Sequence, residues 1–226
     1  MYSFYTFTNF LIGCCLASHA CVFYQRYTTQ NFILTRSRCD NCHFELSLLD
    51  ELPLISFLLL KGRCKYCKTK IPPELFFFEL LGGFAFCLID FSSKAGLLTG
   101  ILLFSLFLVA IADYQQKEFD LPLIFPAFLV ILIDNQIPCF QLIDWLSLLL
   151  LILVFSWNIF KQNMGSGDLL IYLIIALYFT PSITNLVLLF ASILLILIYL
   201  IDTRATNYHY PFIPYILIGL IITQFL

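Results

Sequence analysis

Residues 96–112 read GLLTGILLFSLFLVAIA, a run without a single charge, and Asp113 follows directly. An α-helix rises about 1.5 Å per residue, so roughly 20 apolar residues cross the ~30 Å hydrocarbon core of a bilayer. Lipid offers the backbone no hydrogen-bond partners, so a crossing segment must satisfy its own N–H and C=O groups, as a helix does. This stretch therefore predicts a membrane-spanning helix that ends in a carboxylate.

The rest of the chain has the same character. Hydrophobic residues make up 61% of its 226 positions and charged residues only 12%. A soluble domain of this length could not bury that much apolar surface, which excludes a water-soluble fold. We expect an all-α polytopic membrane protein with about eight transmembrane helices, the sixth being short, and the predicted spans lie near residues 4–24, 75–91, 96–112, 121–136, 141–160, 169–180, 183–201 and 210–226.

The basic residues indicate how these spans are oriented. The N-terminus lacks the basic start and the small-residue cleavage site of a signal peptide, so its first apolar run is interpreted as a retained span. With the N-terminus outside, all of the 12 Lys and Arg residues except Lys94 fall in predicted cytoplasmic segments. We therefore expect Asp113 and Asp168 at the cytoplasmic face. The partner of so apolar a chain is the lipid bilayer, and no nucleic-acid partner is expected.

Asp168 stands in the segment Gly165-Ser166-Gly167-Asp168, which opens the sixth predicted span. The two glycines are expected to allow a tight turn and the close approach of another segment. Two carboxyls brought together share one proton. The ionised one can then take a proton from water while the protonated one polarises a carbonyl. Asp113 and Asp168 are thus candidates for a catalytic pair that hydrolyses an amide without a covalent intermediate.

A simpler interpretation is that each aspartate only marks the end of a helix in the headgroup region. Other carboxylates also compete by position. Three of them fall near the outer face in the predicted topology, and Asp202 lacks a glycine turn. The competing residues are Asp90, Asp120, Asp134, Asp144 and Asp202.

Four cysteines lie in the predicted loop 25–74 with the spacing C-x2-C-x21-C-x2-C: Cys39, Cys42, Cys64 and Cys67. Four thiolates suit a tetrahedral Zn²⁺ at about 2.3 Å per bond, and basic neighbours help to keep them ionised. Four protein ligands leave no position for water, so we expect a structural zinc or another thiophilic metal. Two disulfides or free thiols remain the alternative, although a cytoplasmic loop disfavours disulfides. We expect no internal repeat beyond the alternation of helices.

In order along the chain, these motifs resemble those of the type IV prepilin peptidase family of G-x-G-D intramembrane aspartyl proteases. The loop is similar to the family's cytoplasmic loop, and the last motif resembles its P-F-x-P tail. The stretches are SRCDNCHFE at 37–45, ELPLISFLLLKGRCKYC at 51–67, ELLGG at 79–83 and PFIP at 211–214. Some positions depart from the family pattern. Leu170 stands where Lys is common, Phe119-Asp120-Leu121-Pro122 where an Ile-Pro-Asp-like step is usual, and Glu74-Leu75 where many relatives have Arg-Tyr.

The resemblance implies that Asp113 and Asp168 are the catalytic pair of an enzyme in the bacterial cytoplasmic membrane. Such an enzyme removes the leader from prepilin or pseudopilin proteins, as in competence or secretion systems. In many members it also methylates the new N-terminus with S-adenosylmethionine. Three parts are expected: a first span at 1–24, a cytoplasmic metal-binding loop at 25–74 and a transmembrane aspartyl peptidase domain at 75–226.

Two other classes of function stay open at this point. A transporter or channel could use its aspartates to relay ions and its loop as a regulatory metal sensor. It would then show inverted repeats and charges near mid-membrane, and neither is visible. A non-enzymatic scaffold would tolerate loss of either carboxyl. For Glu79, one turn inside the second span, we expect either a cation such as Lys70, a contact to substrate, or snorkelling to the interface.

Overall fold

The computed structural model describes residues 2–29, 37–47, 49–134, 140–202 and 210–226, which leaves out two of the charges used for orientation, Arg36 and Arg204. Within these ranges the regular secondary structure is α-helical, and two isolated backbone bridges lie in the cysteine loop. The helices are α1 (Tyr2–Thr29), α2 (Ile55–Leu59), α3 (Pro73–Phe86), α4 (Lys94–Gln116), α5 (Leu121–Asp134), α6 (Leu142–Phe160), α7 (Ser166–Tyr178), α8 (Pro181–Ile201) and α9 (Ile213–Thr223).

The chain divides into two compact units, residues 1–89 and residues 90–226. In the first unit, α1 packs along α3 so closely that a Cβ atom on Gly82 would lie only 2.6 Å from the carbonyl oxygen of Gly13. The contacts thus group α3 with α1 and the cysteine loop, whereas the sequence-based division began the peptidase domain at residue 75. That division by function remains a prediction.

The second unit is built around α4. Residues 109–112 at the end of this helix are completely buried, and α5 and α9 pack against it. The hydroxyl of Ser105, also buried, donates a 2.7 Å hydrogen bond to the carbonyl oxygen of Leu123 and so ties α4 to α5. By contrast, α6 lies at the periphery, with only Asp144 and Phe155 buried. The end of α4 that carries Asp113 is therefore the most enclosed part of this unit.

Each of the eight predicted spans has a helix as its counterpart. Four helices, α1, α4, α6 and α8, are long and apolar enough to cross a membrane, and α5, α7 and α9 are shorter apolar helices. The short sixth span corresponds to α7, which has 13 residues and so a length of about 20 Å. The described chain is thus an all-helical protein with four full-length candidate spans, and the number of eight crossings stays a prediction.

Two local features differ from the predicted pattern. The second span was expected to reach residue 91, but α3 ends at Phe86, and the N–H of Ile89 turns back to the carbonyl of Phe86. Ser93 then caps the next helix by accepting a hydrogen bond from the N–H of Gly96. The second difference is α2, a five-residue helix inside the cysteine loop that the sequence pattern did not predict.

Candidate active site and metal centre

Asp113 lies in the last turn of α4 and its side chain is 7% exposed. One carboxylate oxygen, Oδ2, accepts a 3.0 Å hydrogen bond from the N–H of Ile213, the first residue of α9, and the N–H of Phe212 also donates to this carboxylate. The first N–H groups of a helix have no partner within the helix, so Asp113 caps α9. The segment Pro211-Phe212-Ile213-Pro214, which the sequence showed only as a motif, therefore supplies the backbone N–H groups that hold the candidate carboxylate.

Asp168 lies in the first turn of α7 and is partly buried. Its carboxyl is close enough to Asp113 for the two charges to interact, although 55 positions separate the residues in sequence. No hydrogen bond reaches the carboxyl of Asp168 from any residue that the structure describes. The fold of residues 90–226 therefore sets the two candidate carboxyls within electrostatic range of each other. Backbone N–H groups hold Asp113, and no described residue holds Asp168 by a hydrogen bond.

The two glycines before Asp168 act differently from the expectation. Gly165 is extended backbone with φ −74° and ψ 150°, the helix begins at Ser166, and neither glycine has a positive φ. The predicted tight turn is therefore wrong. The close approach is present at Gly167, where a Cβ atom would lie 2.5 Å from Cε1 of Phe119, a residue of the segment between α4 and α5.

Three of the five competing aspartates have structural partners. Asp90 accepts hydrogen bonds from the N–H and hydroxyl of Ser92, and Asp202 accepts one from the hydroxyl of Tyr210. Asp144 caps α6 and accepts a 2.6 Å hydrogen bond from Ser182 at the start of α8. These three carboxylates stabilise turns and helix ends, so they are weaker candidates for catalytic residues.

The four cysteine sulfur atoms of the first unit lie within 4.8 Å of one another. Four Zn–S bonds of about 2.3 Å in a tetrahedron place the sulfurs about 3.8 Å apart, and Sγ of Cys39 lies 3.7 Å from Sγ of Cys67. All four are free cysteines, so the alternative of two disulfides is not what the structure has. The donor set and its spacing fit one tetrahedral thiophilic ion, and a structural zinc would be held by all four.

The loop that carries the cysteines contains an internal repeat, so the expectation of none was wrong. Three backbone hydrogen bonds and one bridge recur 25 residues later, and the equivalent residues His43 and Lys68 both have positive φ. The pairs are Cys39 N–H to Phe44 O, His43 N–H to Cys39 O and Leu46 N–H to Ser37 O, then Cys64 N–H to Thr69 O, Lys68 N–H to Cys64 O and Ile71 N–H to Gly62 O. The signal in the sequence is R-C-x-x-C, present in both SRCDNC and GRCKYC.

Polar contacts join the two copies of this repeat. The side chain of Asn41 donates a 2.9 Å hydrogen bond to the hydroxyl of Thr69, which in turn lies 3.2 Å from Sγ of Cys67. The hydrogen bond with Thr69 lowers the pKa of the Cys67 thiol to about 5. This shift favours the thiolate form of Cys67, the form that binds metal.

Glu79 has a partner that the sequence did not suggest. Its Oε2 accepts a 2.8 Å hydrogen bond from the N–H of Leu54, a non-glycine residue with φ 59°, and its carboxylate also bonds the side chain of Ser18. The expected cation, Lys70, is not among these partners. Glu79 instead fastens the backbone of the cysteine loop to α1 and α3, and only the fold reveals this role.

A comparison with known proteins places this chain. Residues 11–92 match the family model described as the bacterial peptidase A24 N-terminal domain, a range that contains the four cysteines and ends before Asp113. The chain is 32% identical over 200 residues to the prepilin leader peptidase/N-methyltransferase of Neisseria gonorrhoeae, covering 82% of this chain and 69% of that protein.

Two further relatives cover a similar share. The enzyme of the same name from Pseudomonas aeruginosa is 26% identical over 211 residues, 86% of this chain and 72% of its own length. The type 4 prepilin-like proteins leader peptide-processing enzyme of Escherichia coli is 28% identical over 207 residues, which cover 85% of this chain and 76% of that protein. No solved structure matches.

An all-helical chain with four long apolar helices and a four-cysteine cluster fits the class of leader peptidases for which these relatives are named. The chain is a member of the prepilin leader peptidase/N-methyltransferase family, peptidase A24.

Proposed function

We propose that this protein is a membrane-embedded aspartyl endopeptidase that removes the leader from type IV prepilin-like proteins at the cytoplasmic membrane face. Asp113 and Asp168 are its catalytic pair. The observation that carries the proposal is that α4 and α7 set these two carboxyls within electrostatic range of each other, with Asp113 held by the start of α9. Family membership supplies the reaction and the substrate class, since the relatives are named for the processing of prepilins and prepilin-like proteins.

The hydrogen bonds suggest a different role for each carboxyl. N–H groups that point at a carboxylate stabilise its ionised form, and Asp113 accepts them from the start of α9. Asp113 is thus the base that takes a proton from water. Asp168, which accepts no hydrogen bond from the described residues, is the acid that polarises the scissile carbonyl. Water attacks the carbonyl carbon, and breaking the C–N bond with proton return to nitrogen yields a free carboxyl and a free amine.

The location of the pair agrees with the chemistry of a prepilin. Its leader is short and basic and its next segment is an apolar helix, so the scissile bond lies where lipid meets water. Asp113 is in the last turn of α4 and Asp168 in the first turn of α7, both at helix ends. Together with the distribution of basic residues, this supports an outside N-terminus and a cytoplasmic site.

The same placement disfavours a transporter or channel. That alternative requires charges near mid-membrane. Among the residues that the structure describes, the helical acidic side chains stand in first or last turns, with the exception of Glu79, which is committed to the backbone of Leu54.

We further propose that the four cysteines hold a structural zinc and that the chain also methylates the amine freed by cleavage. The first proposal rests on the fit of the sulfur positions. The second rests on the names of the relatives, which include an N-methyltransferase activity. The methyl donor would be S-adenosylmethionine, whose electrophilic methyl group passes to the neutral amine. Mass spectrometry of the processed prepilin tests this, since its N-terminal residue should be heavier by one methyl group.

A cleavage assay tests the catalytic pair. We expect Asp113→Asn and Asp168→Asn each to slow leader removal by roughly 10²- to 10⁴-fold, the usual contribution of a general acid or base. Asparagine can still accept the hydrogen bond from Ile213, so the start of α9 should stay capped in the first variant. Asp120→Asn, which changes an exposed carboxyl three positions beyond Lys117, is the matched control and should cleave like the wild type. A wild-type rate in either pair variant would disprove the assignment.

A further inference from the structure

A groove of about 530 Å³ lies between α6 and α8 in the second unit. The residues that line it recur every three or four positions, from Ser147 to Asn158 on α6 and from Asn185 to Ser192 on α8. This is the period of one helical face, so each helix contributes a stripe. On α6 the stripe runs over three turns, about 17 Å.

The groove leads to the candidate carboxyls. Met164 and Phe212 also line it. The N–H of Phe212 donates to the carboxylate of Asp113, and Met164 directly precedes Gly165, the N-cap of the helix that carries Asp168. Two residues that line the groove are therefore neighbours of the proposed catalytic residues, and the rest of the groove follows α6 and α8 away from them.

Its walls are apolar but carry four polar side chains at helical spacing. The hydroxyl of Ser147 and the amide of Asn158 donate to backbone carbonyls of their own helix, α6. Between transmembrane helices, Ser and Asn also form hydrogen bonds, and small residues let backbones approach. Asn185 accepts a 3.1 Å hydrogen bond from the hydroxyl of Tyr172, yet its amide N–H group has no acceptor among the described residues, and neither has the hydroxyl of Ser192. The polar side chains are Ser147, Asn158, Asn185 and Ser192.

We propose that the groove between α6 and α8 binds the transmembrane helix of the prepilin and so presents the junction behind its leader to Asp113 and Asp168. This inference rests on the proposed function. A helix is the occupant because it offers backbone carbonyls and small side chains to the unused donors, which a lipid acyl chain does not. Because Phe212 and Met164 at the groove adjoin the carboxyls, a helix seated in it would place its first residues near the site of cleavage.

The first test fills the groove. The full chain is reconstituted in phosphatidylcholine–phosphatidylglycerol vesicles with a purified type IV prepilin that retains its leader and apolar helix. Ser147→Phe and Ser192→Phe should each raise KM roughly tenfold with a smaller change in kcat, since they remove binding and leave the carboxyls alone. The control is Ser156→Phe, which makes the same change on the opposite, exposed face of α6 and should not alter KM.

The second test does not depend on the folding of those variants. A photoreactive benzoylphenylalanine is placed at Leu189 in the groove or at Leu149 on the far face of α6, in a chain that also carries Asp113→Asn to retain substrate. The two leucines are equally accessible, 54% and 59% exposed. We expect an adduct with the prepilin from Leu189 and none from Leu149.

The outcomes separate the two proposals. Wild-type cleavage with unchanged KM in both filled variants, or a Leu189 adduct only with lipid or a second copy of this chain, would overturn the groove and leave the proposed function standing. A prepilin adduct at Leu189 without any cleavage by the wild type would support the groove and overturn the peptidase assignment. Absence of both would overturn both.

Discussion

The two units hold their candidate sites in different ways. In residues 1–89 the four sulfurs are positioned by hydrogen bonds between residues four to nine positions apart, repeated once. In residues 90–226 the carboxyls are positioned by contacts over 55 and 100 positions of sequence. The first site is local and lies on an exposed loop, while the second depends on the packing of whole helices. We therefore expect a bound metal to stabilise the cysteine cluster and helix packing to stabilise the arrangement of the two carboxyls.

Removal of the metal is the change with the largest expected effect on this comparison. In Cys39→Ser/Cys64→Ser, each copy of the repeat loses one ligand. We expect the zinc content to fall from about one per chain to near zero, because binding and folding of a structural site are one equilibrium, worth about 10–16 kcal/mol in small zinc peptides. Hydrogen exchange should become fast across residues 37–71 and stay slow in α4.

The matched control for this prediction is Cys15→Ser, which replaces an exposed thiol on α1 outside the cluster. It should keep its zinc and its slow exchange. If the double variant instead lost protection in α4 to the same extent as in the loop, the two units would share one stabilising core, and the contrast drawn between them would fail.

The same contrast explains what could be predicted from the sequence. Apolar runs gave the positions of eight helices, because lipid forces each run to be helical, and C-x-x-C spacing gave the thiol cluster, because the ligands of each pair are local. The internal repeat was also readable from SRCDNC and GRCKYC but was missed, since it covers only a turn of chain rather than a domain.

Contacts between distant segments were beyond the sequence. No local sequence pattern indicates that Asp113 accepts a hydrogen bond from the N–H of Ile213, or that Glu79 accepts one from the N–H of Leu54. The glycines before Asp168 were expected to allow both a tight turn and a close approach, and only the close approach is present. Sequence alone does not separate the two roles, because both favour glycine. Only the position of the Phe119 ring tells them apart.

Gly167 offers an intermediate effect that tests long-range packing in the second unit. In Gly167→Ala the new methyl group meets the ring of Phe119, so the ring or the start of α7 must shift beside Asp168. We expect cleavage to slow by roughly ten- to hundredfold, as small displacements of catalytic groups do. Phe119→Leu should restore part of the rate in the double variant, which a double-mutant cycle measures.

Gly165→Ala is the control for that cycle. Gly165 has a negative φ, and the nearest heavy atom to a new Cβ is the nitrogen of Gly167 at 3.9 Å, so the substitution should be tolerated. Equal losses of rate in Gly165→Ala and Gly167→Ala would show that both glycines serve the backbone conformation, and would refute the packing explanation.

The smallest expected effect concerns Glu79 in the first unit, which ties the cysteine loop to α3. Glu79→Ala leaves the N–H of Leu54 without its acceptor, at a cost of about 1–3 kcal/mol, whereas Glu79→Gln keeps an acceptor and should cost less. The measurement is hydrogen exchange at the Leu54 amide, which should rise by roughly tenfold or more in the alanine variant with zinc still bound. Glu74→Ala, in the first turn of the same helix, should leave this amide unchanged. Loss of zinc in Glu79→Ala would mean that the cluster depends on distant packing after all, because its sulfurs would then need α3 to stay together.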